Sequence, residues 1–137
     1  MNLDPSAFVA DPELIRELEV QSTQIACPED RVLFRQGDAP MGLYILKSGK
    51  AALTMNAPSG EEIVTSNASS SSLLGLPGLI GNEPYTLTAV ASAGSEVSLL
   101  SRDSFTTLMR TNPLLALKVL QILAAEVRSA RSAILQR

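Results

Sequence analysis

The sequence contains no histidine and only one cysteine, Cys27, among its 137 residues. The missing histidine excludes catalysis by an imidazole acid or base, nucleophilic triads that use histidine, and the commonest metal ligand. A single cysteine cannot form an intrachain disulfide, and it offers too few ligands for a zinc or iron–sulfur site. We therefore expect a protein that is not an enzyme, binds no metal and resides in the cytoplasm.

Long apolar runs and an excess of positive charge are also missing. No run approaches the roughly 18 residues that a membrane span requires, and the N-terminus lacks the basic start and apolar centre of a signal peptide. The formal net charge is −3 and the isoelectric point is near 4.9, whereas nucleic-acid surfaces need a clustered basic face. We expect neither a membrane nor a nucleic acid as a partner of this chain.

The hydrophobic pattern divides this single domain into three segments. Residues 1–24 carry apolar side chains at helical spacing, interrupted by Asp11 and Pro12, which fit the cap and first turn of a second helix. Residues 25–101 change to a period of two with frequent turns, and residues 102–137 return to helical spacing. The prediction is an α+β fold, mainly β: an antiparallel jelly-roll barrel with N-terminal helices, an inserted one-turn helix and a long C-terminal helix.

Small and polar residues mark the turns of the predicted barrel. Gly37 is expected to adopt a positive φ, and Ser48-Gly49 is expected to close a tight hairpin between two strands. Four consecutive serines, Ser69–Ser72, are consistent with a flexible loop or with a set of hydroxyl groups beside a ligand. The N-terminal helices are expected to cover a sheet edge or one end of the barrel.

The stretch 73–91 interrupts the strand pattern of the barrel. Gly75 follows a short apolar strand, and Pro77–Ile80 can form one helical turn because proline is tolerated at the start of a helix. A polar turn follows at Gly81–Pro84, and Thr86–Val90 alternates like a strand. The free N–H groups at a helix start can bind an anion, so the inserted turn is a candidate ligand site.

A long helix is predicted from Pro113 to Leu135, with Asn112 as its cap. One flank, suited to packing on the barrel, carries Leu115, Val119 and Ile122. A second flank forms a heptad seam of Ala116, Leu120, Leu123, Val127, Ala130 and Ile134. Two apolar flanks indicate either a helix buried within its own domain or one that pairs with another helix.

Charged residues beside the seam favour the paired helix. Glu126, Arg128 and Arg131 flank the seam, as expected for a helix exposed to solvent in the monomer. We therefore expect a homodimer through this helix, with help from barrel contacts because so short a seam is a marginal coiled coil.

The ordered set of motifs resembles the cyclic-nucleotide-binding domain of the catabolite-activator and fumarate–nitrate-regulator (CRP/FNR) superfamily. The resemblance covers roughly residues 8–135 and rests on Val32–Asp38, Gly42–Lys50, the stretch 73–91, Arg102–Phe105 and Asn112-Pro113. It implies that 73–91 is a phosphate-binding cassette. It also implies a candidate ligand pocket that includes Gly75, Leu76, Gly78, Tyr85, Thr86, Arg128 and Arg131.

Two departures from the family pattern concern charge. The resemblance implies a glutamate for the ribose at the position of Leu76 and an arginine for the cyclic phosphate at the position of Tyr85. Losing both charge-assisted interactions would cost about 3–6 kcal/mol, which weakens binding by a factor of roughly 10² to 10⁴. Weak or absent binding of cyclic AMP and cyclic GMP is therefore expected.

Three interpretations of this pocket stay open. Leu76 and Tyr85 can be core filling in a disused pocket, or the pocket can suit an uncharged or apolar ligand with Tyr85 as its polar group. In the third, cyclic-nucleotide binding is retained and Arg128 or Arg131 reaches in from the long helix. No lysine or arginine lies between Lys50 and Arg102, so the cassette has no local cation.

The resulting functional prediction is a non-catalytic regulatory or sensor domain, dimeric and without a fixed cofactor, for which a cyclic nucleotide or another small ligand remains open. The alternatives are a cyclic-nucleotide sensor with an altered pocket, a ligand-free dimerisation scaffold, and a cupin-like jelly-roll enzyme, which the missing histidines disfavour. The superfamily's transcription factors carry a winged helix-turn-helix beyond the long helix. Because the chain ends at Arg137, it is either a stand-alone domain or a fragment.

Overall fold

The computed structural model describes residues 3–135, with side chains described as far as residue 132. A 3-10 helix spans Pro5–Phe8, and α1 spans Pro12–Glu19. The strands are β1 Thr23–Ile25, β2 Arg31–Phe34, β3 Gly42–Ser48, β4 Ala51–Asn56, β5 Glu62–Ala68, β6 Ser72–Leu74, β7 Thr88–Ala91 and β8 Glu96–Ser101. The later helices are α2 Leu76–Gly81, inserted between β6 and β7, α3 Arg102–Thr111 and α4 Pro113–Leu135.

The eight strands form two four-stranded antiparallel sheets in the orders β1-β8-β3-β6 and β2-β7-β4-β5. This confirms the predicted α+β, mainly β fold. One apolar core lies where β2, β4 and β7 face β3, and it includes Phe34, Leu53 and Tyr85. A second core joins β3 and β6 to the helices, and it includes Leu14, Leu43 and Leu115. The inserted helix α2 contributes Leu76 and Leu79 to this second core.

The predicted hairpin at Ser48-Gly49 is wrong, because β3 and β4 belong to different sheets and do not pair. Gly49 has a φ of +98°, and a Cβ at this position would collide with the side chain of Ser95. The Ser95 hydroxyl lies 3.2 Å from both the amide nitrogen and the carbonyl oxygen of Lys50. The glycine thus turns a corner between the sheets, which leaves the same sequence signature as a hairpin.

The four serines form a hydrogen-bonded turn and the start of β6 rather than a flexible loop. Ser71 has a φ of 70°, and its amide donates to the carbonyl of Leu46 at 2.8 Å. Ser72 is fully buried in β6, and its hydroxyl donates to the carbonyl of Ser69 at 2.6 Å. None of the four lines either cavity described below, and the hydrogen bond of the Ser72 hydroxyl helps to hold the turn.

Helix caps are confirmed at both ends of the chain. The Asp11 carboxylate accepts from the amide of Leu14 at 2.8 Å, with Pro12 in the first turn of α1. The Asn112 side chain accepts from the amide of Leu115 at 3.1 Å and begins α4 at Pro113. Strand β1 starts at Thr23, two residues before the boundary drawn from the sequence.

The long helix packs on the barrel through the predicted flank. Leu115 and Val119 are buried, and Ile122 is partly buried against the same core. No helix within residues 3–135 combines the length and the apolar character needed to cross a membrane.

Candidate functional site

The inserted helix begins with the local geometry that the sequence indicated. Gly75 precedes α2 with a φ of +97°, and Pro77 lies in the first turn. Asn82 ends the helix with a φ of 53°, and the amide of Glu83 donates to the carbonyl of Gly78 at 2.9 Å. The helix covers Leu76–Gly81, somewhat longer than the predicted turn, and β7 starts two residues later than expected, at Thr88.

The side chain of Tyr85 fills the space behind this helix. It is 3% exposed, and its ring stacks on Phe34 with centroids 4.1 Å apart and planes inclined by 23°. The hydroxyl donates to the carbonyl of Gly42 at 2.7 Å and lies 3.2 Å from the Gly42 amide, which donates to it. Burial raises the pKa of this phenol above its ordinary value. Both hydrogen-bonding roles of the hydroxyl are therefore met inside the protein.

The Tyr85 backbone is fixed as well, by the turn that contains Gly37. The Gly37 amide donates to the Tyr85 carbonyl at 2.8 Å, and the Tyr85 amide donates to the Asp38 carbonyl at 2.9 Å. Gly37 has the predicted positive φ, +93°. Two ladder-like hydrogen bonds, a stacked ring and a bonded hydroxyl thus hold the residue in one position.

The Tyr85 ring lies against the glycines at the start of α2. A Cβ on Gly75 would lie 2.8 Å from Cε1 of Tyr85, and a Cβ on Gly78 would lie 3.4 Å from its Cδ1. The remaining cavity has a volume of about 20 Å³, which is room for about one water molecule. It is lined by Phe8, Phe34, Leu53, Leu74, Gly75, Pro77, Gly78, Tyr85, Thr86, Leu87 and Glu126.

The structure does not bring all the predicted pocket residues together. Gly75, Gly78, Tyr85 and Thr86 line the small cavity. Leu76 is fully buried in the second core, with Leu43, Leu79, Leu100 and Phe105 among its members, and does not line the cavity. The position that the resemblance assigns to a ribose-binding glutamate thus belongs to the helix-facing core in this chain.

Arg128 and Arg131 are exposed, and neither lines the small cavity or the groove beside it. Glu126 reaches the cavity instead, and it is only 7% exposed. Its assignment to the exposed side of α4 is therefore wrong. The missed signal was its spacing, because Glu126 continues the barrel-facing series of Leu115, Val119 and Ile122 at steps of four, three and four.

Glu126 has an apolar environment. Its Oε1 is buried and has no hydrogen-bond partner among the described residues. Burial raises the pKa of this carboxyl to about 8, because the charged form loses its hydration and gains no compensating contact. At neutral pH the side chain is therefore largely a neutral carboxylic acid.

A larger groove of about 450 Å³ adjoins the small cavity. The two share Phe8, Pro77, Thr86, Leu87 and Glu126. The rest of the groove is formed by Leu3, Met55, Ile63, Val64, Val127 and Ala130. Its walls thus come from the N-terminal segment, from β4 and β5, and from α4.

Residues 24–112 match the family of cyclic nucleotide-binding domains. The chain belongs to this family. A cyclic AMP receptor protein from Thermus thermophilus is 30% identical over 103 residues, which cover 75% of this chain and 48% of that protein. The crystal structure of the Thermus thermophilus catabolite activator protein aligns with a TM-score of 0.78 at 26% identity, covering 96% of this chain and 62% of that one.

A second relative is a CRP-like cAMP-activated global transcriptional regulator from Mycobacterium tuberculosis. It is 25% identical over 118 residues, which cover 86% of this chain and 53% of that protein. The chain thus spans about half the length of the curated relatives it matches. These matches confirm the CRP/FNR-type cyclic-nucleotide-binding domain that the motif order indicated, with its long C-terminal helix.

The N-terminal segment of this cyclic nucleotide-binding domain joins β5 to α4 across one wall of the groove. The Ser66 hydroxyl donates to the Leu3 carbonyl at 3.1 Å. The Asp4 amide donates to the hydroxyl of Ser129 on α4 at 2.8 Å. The predicted role of this segment, covering one part of the barrel, is consistent with these contacts.

The seam of α4 is partly exposed. Leu120 is 48% exposed and Val127 is 53% exposed, whereas Ala116, Leu123 and Ala130 are half-buried. Leu123 packs against the second core, and the side chain of Ile134 lies outside the described ones. Leu114 and Leu117, which the seam did not include, are also exposed. The helix thus carries an apolar stripe that the barrel leaves uncovered.

Proposed function

We propose that this domain is a non-catalytic, dimeric sensor or regulatory module that binds cyclic AMP and cyclic GMP weakly or not at all. The observation that carries the proposal is the position of Tyr85. Its ring occupies the space behind Gly75 and Gly78, and its hydroxyl is already bonded to Gly42. A ligand phosphate at this point would have to displace a stacked and fully hydrogen-bonded side chain.

The lack of basic side chains in the pocket also argues against tight binding of a cyclic nucleotide. Among the described residues, no lysine or arginine lines the small cavity or the groove, and Glu126 lines both. A buried phosphate monoanion without a cation loses hydration that is not replaced. If an intact pocket binds in the micromolar range, the missing interactions place the dissociation constant at about 0.1–10 mM.

Assembly through α4 is the second part of the proposal. Leu114, Leu117 and Leu120 form an exposed apolar stripe, which a second copy of the helix would cover, whereas Val127 lines the groove. A whole protein that acts in transcription, in the cytoplasm, is proposed by analogy with relatives that are named as regulators.

The alternative of a pocket suited to an apolar ligand is favoured by one observation. The groove beside the small cavity has a volume of about 450 Å³, which is the size of a small-molecule site. A ligand-free scaffold remains the other alternative, and it differs only in having no ligand response.

Calorimetric titration of the full chain with cyclic AMP and cyclic GMP tests the proposal. We expect no saturable binding below about 0.1 mM, whereas Tyr85→Arg should bind cyclic AMP more tightly because it restores a phosphate partner. Tyr85→Phe is the control, since it removes the hydroxyl but adds no cation. Micromolar binding by the unaltered protein would refute the proposal.

A further inference from the structure

The groove beside the inserted helix α2 has the features of a site for a ligand that carries no phosphate. We propose that it binds small apolar molecules carrying a protonated amine, with the Glu126 carboxylate as the partner of the ammonium group. The inference rests on the proposed function and deepens it by naming a ligand class for the space next to the phosphate site.

The shape and lining of the groove fit an apolar ligand. Its volume of about 450 Å³ lies within the range of small-molecule pockets, about 300–1,000 Å³. Nine of its eleven lining residues are apolar: Leu3, Phe8, Met55, Ile63, Val64, Pro77, Leu87, Val127 and Ala130. Thr86 and Glu126 are the two polar ones, and both also face the small cavity. An apolar body with one polar group therefore matches the walls.

The environment of Glu126 indicates that the polar group of the ligand carries a positive charge. One of its carboxyl oxygens is buried without a hydrogen-bond partner among the described residues, and no basic side chain lines the groove. An unpartnered buried polar atom is costly, so a donor supplied by the ligand is favoured. Charge-assisted hydrogen bonds are about twice as strong as neutral ones, which favours an ammonium over an alcohol. An anionic ligand would find no cation in the groove, because none of its lining residues is basic.

Binding of an amine to this groove should release a proton from Glu126, which can be measured. The pKa of Glu126 is raised to about 8 by burial, so at pH 7 the free protein holds a proton there. An ammonium ligand stabilises the carboxylate, and the carboxyl proton passes to the buffer while the ammonium keeps its own. The other titratable residue lining either cavity is Tyr85, whose hydroxyl is bonded to Gly42. Binding at pH 7 should therefore release most of one proton.

Three probes separate the effect of the polar head group from that of the apolar chain: decylamine, decanol and decanoate. All three have the same chain length, and each is used below the concentration at which it self-associates. Calorimetry on the full chain should show one decylamine per chain, bound about tenfold more tightly than decanol. Decanoate should bind most weakly. The observed heat for decylamine should vary with the ionisation enthalpy of the buffer, as proton release requires.

Variants test the assigned residue. Glu126→Gln should remove the preference for decylamine and its buffer dependence, while decanol binding remains. Glu61→Gln, an exposed acid on the barrel that does not line the groove, is the matched control and should behave like the parent protein. Ile63→Trp should weaken all three probes because it adds bulk to a groove wall.

Several results would overturn the inference. They are no binding of any probe, equal binding of amine and alcohol, tighter binding of decanoate, or an amine preference that survives in Glu126→Gln. None of these results depends on cyclic nucleotides. The cyclic AMP titration therefore judges the proposed function separately from this assignment.

Discussion

The cassette cavity and the neighbouring groove show two outcomes of burying a polar side chain. Tyr85 fills the cavity, and its hydroxyl has a partner for both its donor and its acceptor role. Glu126 reaches the groove with one carboxyl oxygen buried and unpartnered among the described residues. The first arrangement satisfies a buried hydroxyl within the protein, whereas the second leaves a buried carboxyl oxygen without a partner. The comparison separates a cavity filled by its own side chain from the groove to which we assign a ligand.

The largest expected effect on stability comes from removing the Tyr85 side chain, which fills the cavity behind α2. Tyr85→Ala removes a buried aromatic ring and leaves a cavity, and should lower the free energy of unfolding by about 3–5 kcal/mol. Tyr85→Phe keeps the ring and leaves the Gly42 amide and carbonyl without their side-chain partner, so it should cost about 1–3 kcal/mol. Urea denaturation measures both. A loss below 1 kcal/mol for Tyr85→Ala would show that the ring is not packed as described.

The next effect is the pH dependence of stability that the buried Glu126 carboxyl produces. The folded pKa of Glu126 is about 8, above the value of 4.5 for an unperturbed carboxyl. A raised folded pKa contributes stability that is complete below the unfolded pKa and is lost as pH rises through the folded value. Between pH 5 and pH 7.5 the protein should lose up to about 3 kcal/mol from this group.

Glu126→Gln should remove this component of the pH dependence and be the more stable form near pH 7.5. Thermal and urea unfolding from pH 5 to pH 8.5 give the two curves. Glu61→Gln serves as the control, because that residue is exposed. Parallel curves for Glu126→Gln and the parent protein would contradict the burial of an unpartnered carboxyl.

The smallest of the three effects concerns the surface of α4 next to the groove. Leu120→Glu places a charge on the exposed apolar stripe and should weaken the proposed dimer by about 2 kcal/mol or more, a factor of about 30. Gln24→Glu, the same change at an exposed position on β1 away from α4, is the matched control. Light scattering over a concentration series measures the association. A monomeric parent protein at all concentrations would rule out assembly through this helix.

Local signals in the sequence were sufficient for much of the fold. Asp11, Asn112 and the Gly75–Pro77 start of α2 were predictable, because a cap or a positive φ depends on residues adjacent in the chain. The corner at Gly49 was not, since a glycine turn looks the same whether the next strand pairs with the previous one or joins the opposite sheet. That choice depends on distant strands β5, β7 and β8.

The candidate site was predictable only in part. The resemblance pointed to Gly75, Gly78, Tyr85 and Thr86, which do line one cavity. Glu126 was assigned to the wrong face because its charge outweighed its spacing in the sequence interpretation. Burial of such a residue is set by three-dimensional neighbours on β4, β5 and the N-terminal segment, which a one-dimensional pattern does not contain.

The most direct test of the filled phosphate site is a crystal structure of the unaltered protein equilibrated with free cyclic AMP at about 0.01 mM, about one tenth of the tightest dissociation constant expected. The account predicts that the Tyr85 ring stays stacked on Phe34, with its hydroxyl on Gly42 and no phosphate at the start of α2. A cyclic phosphate bound to the Gly78 amide, with the tyrosine ring displaced, would contradict it.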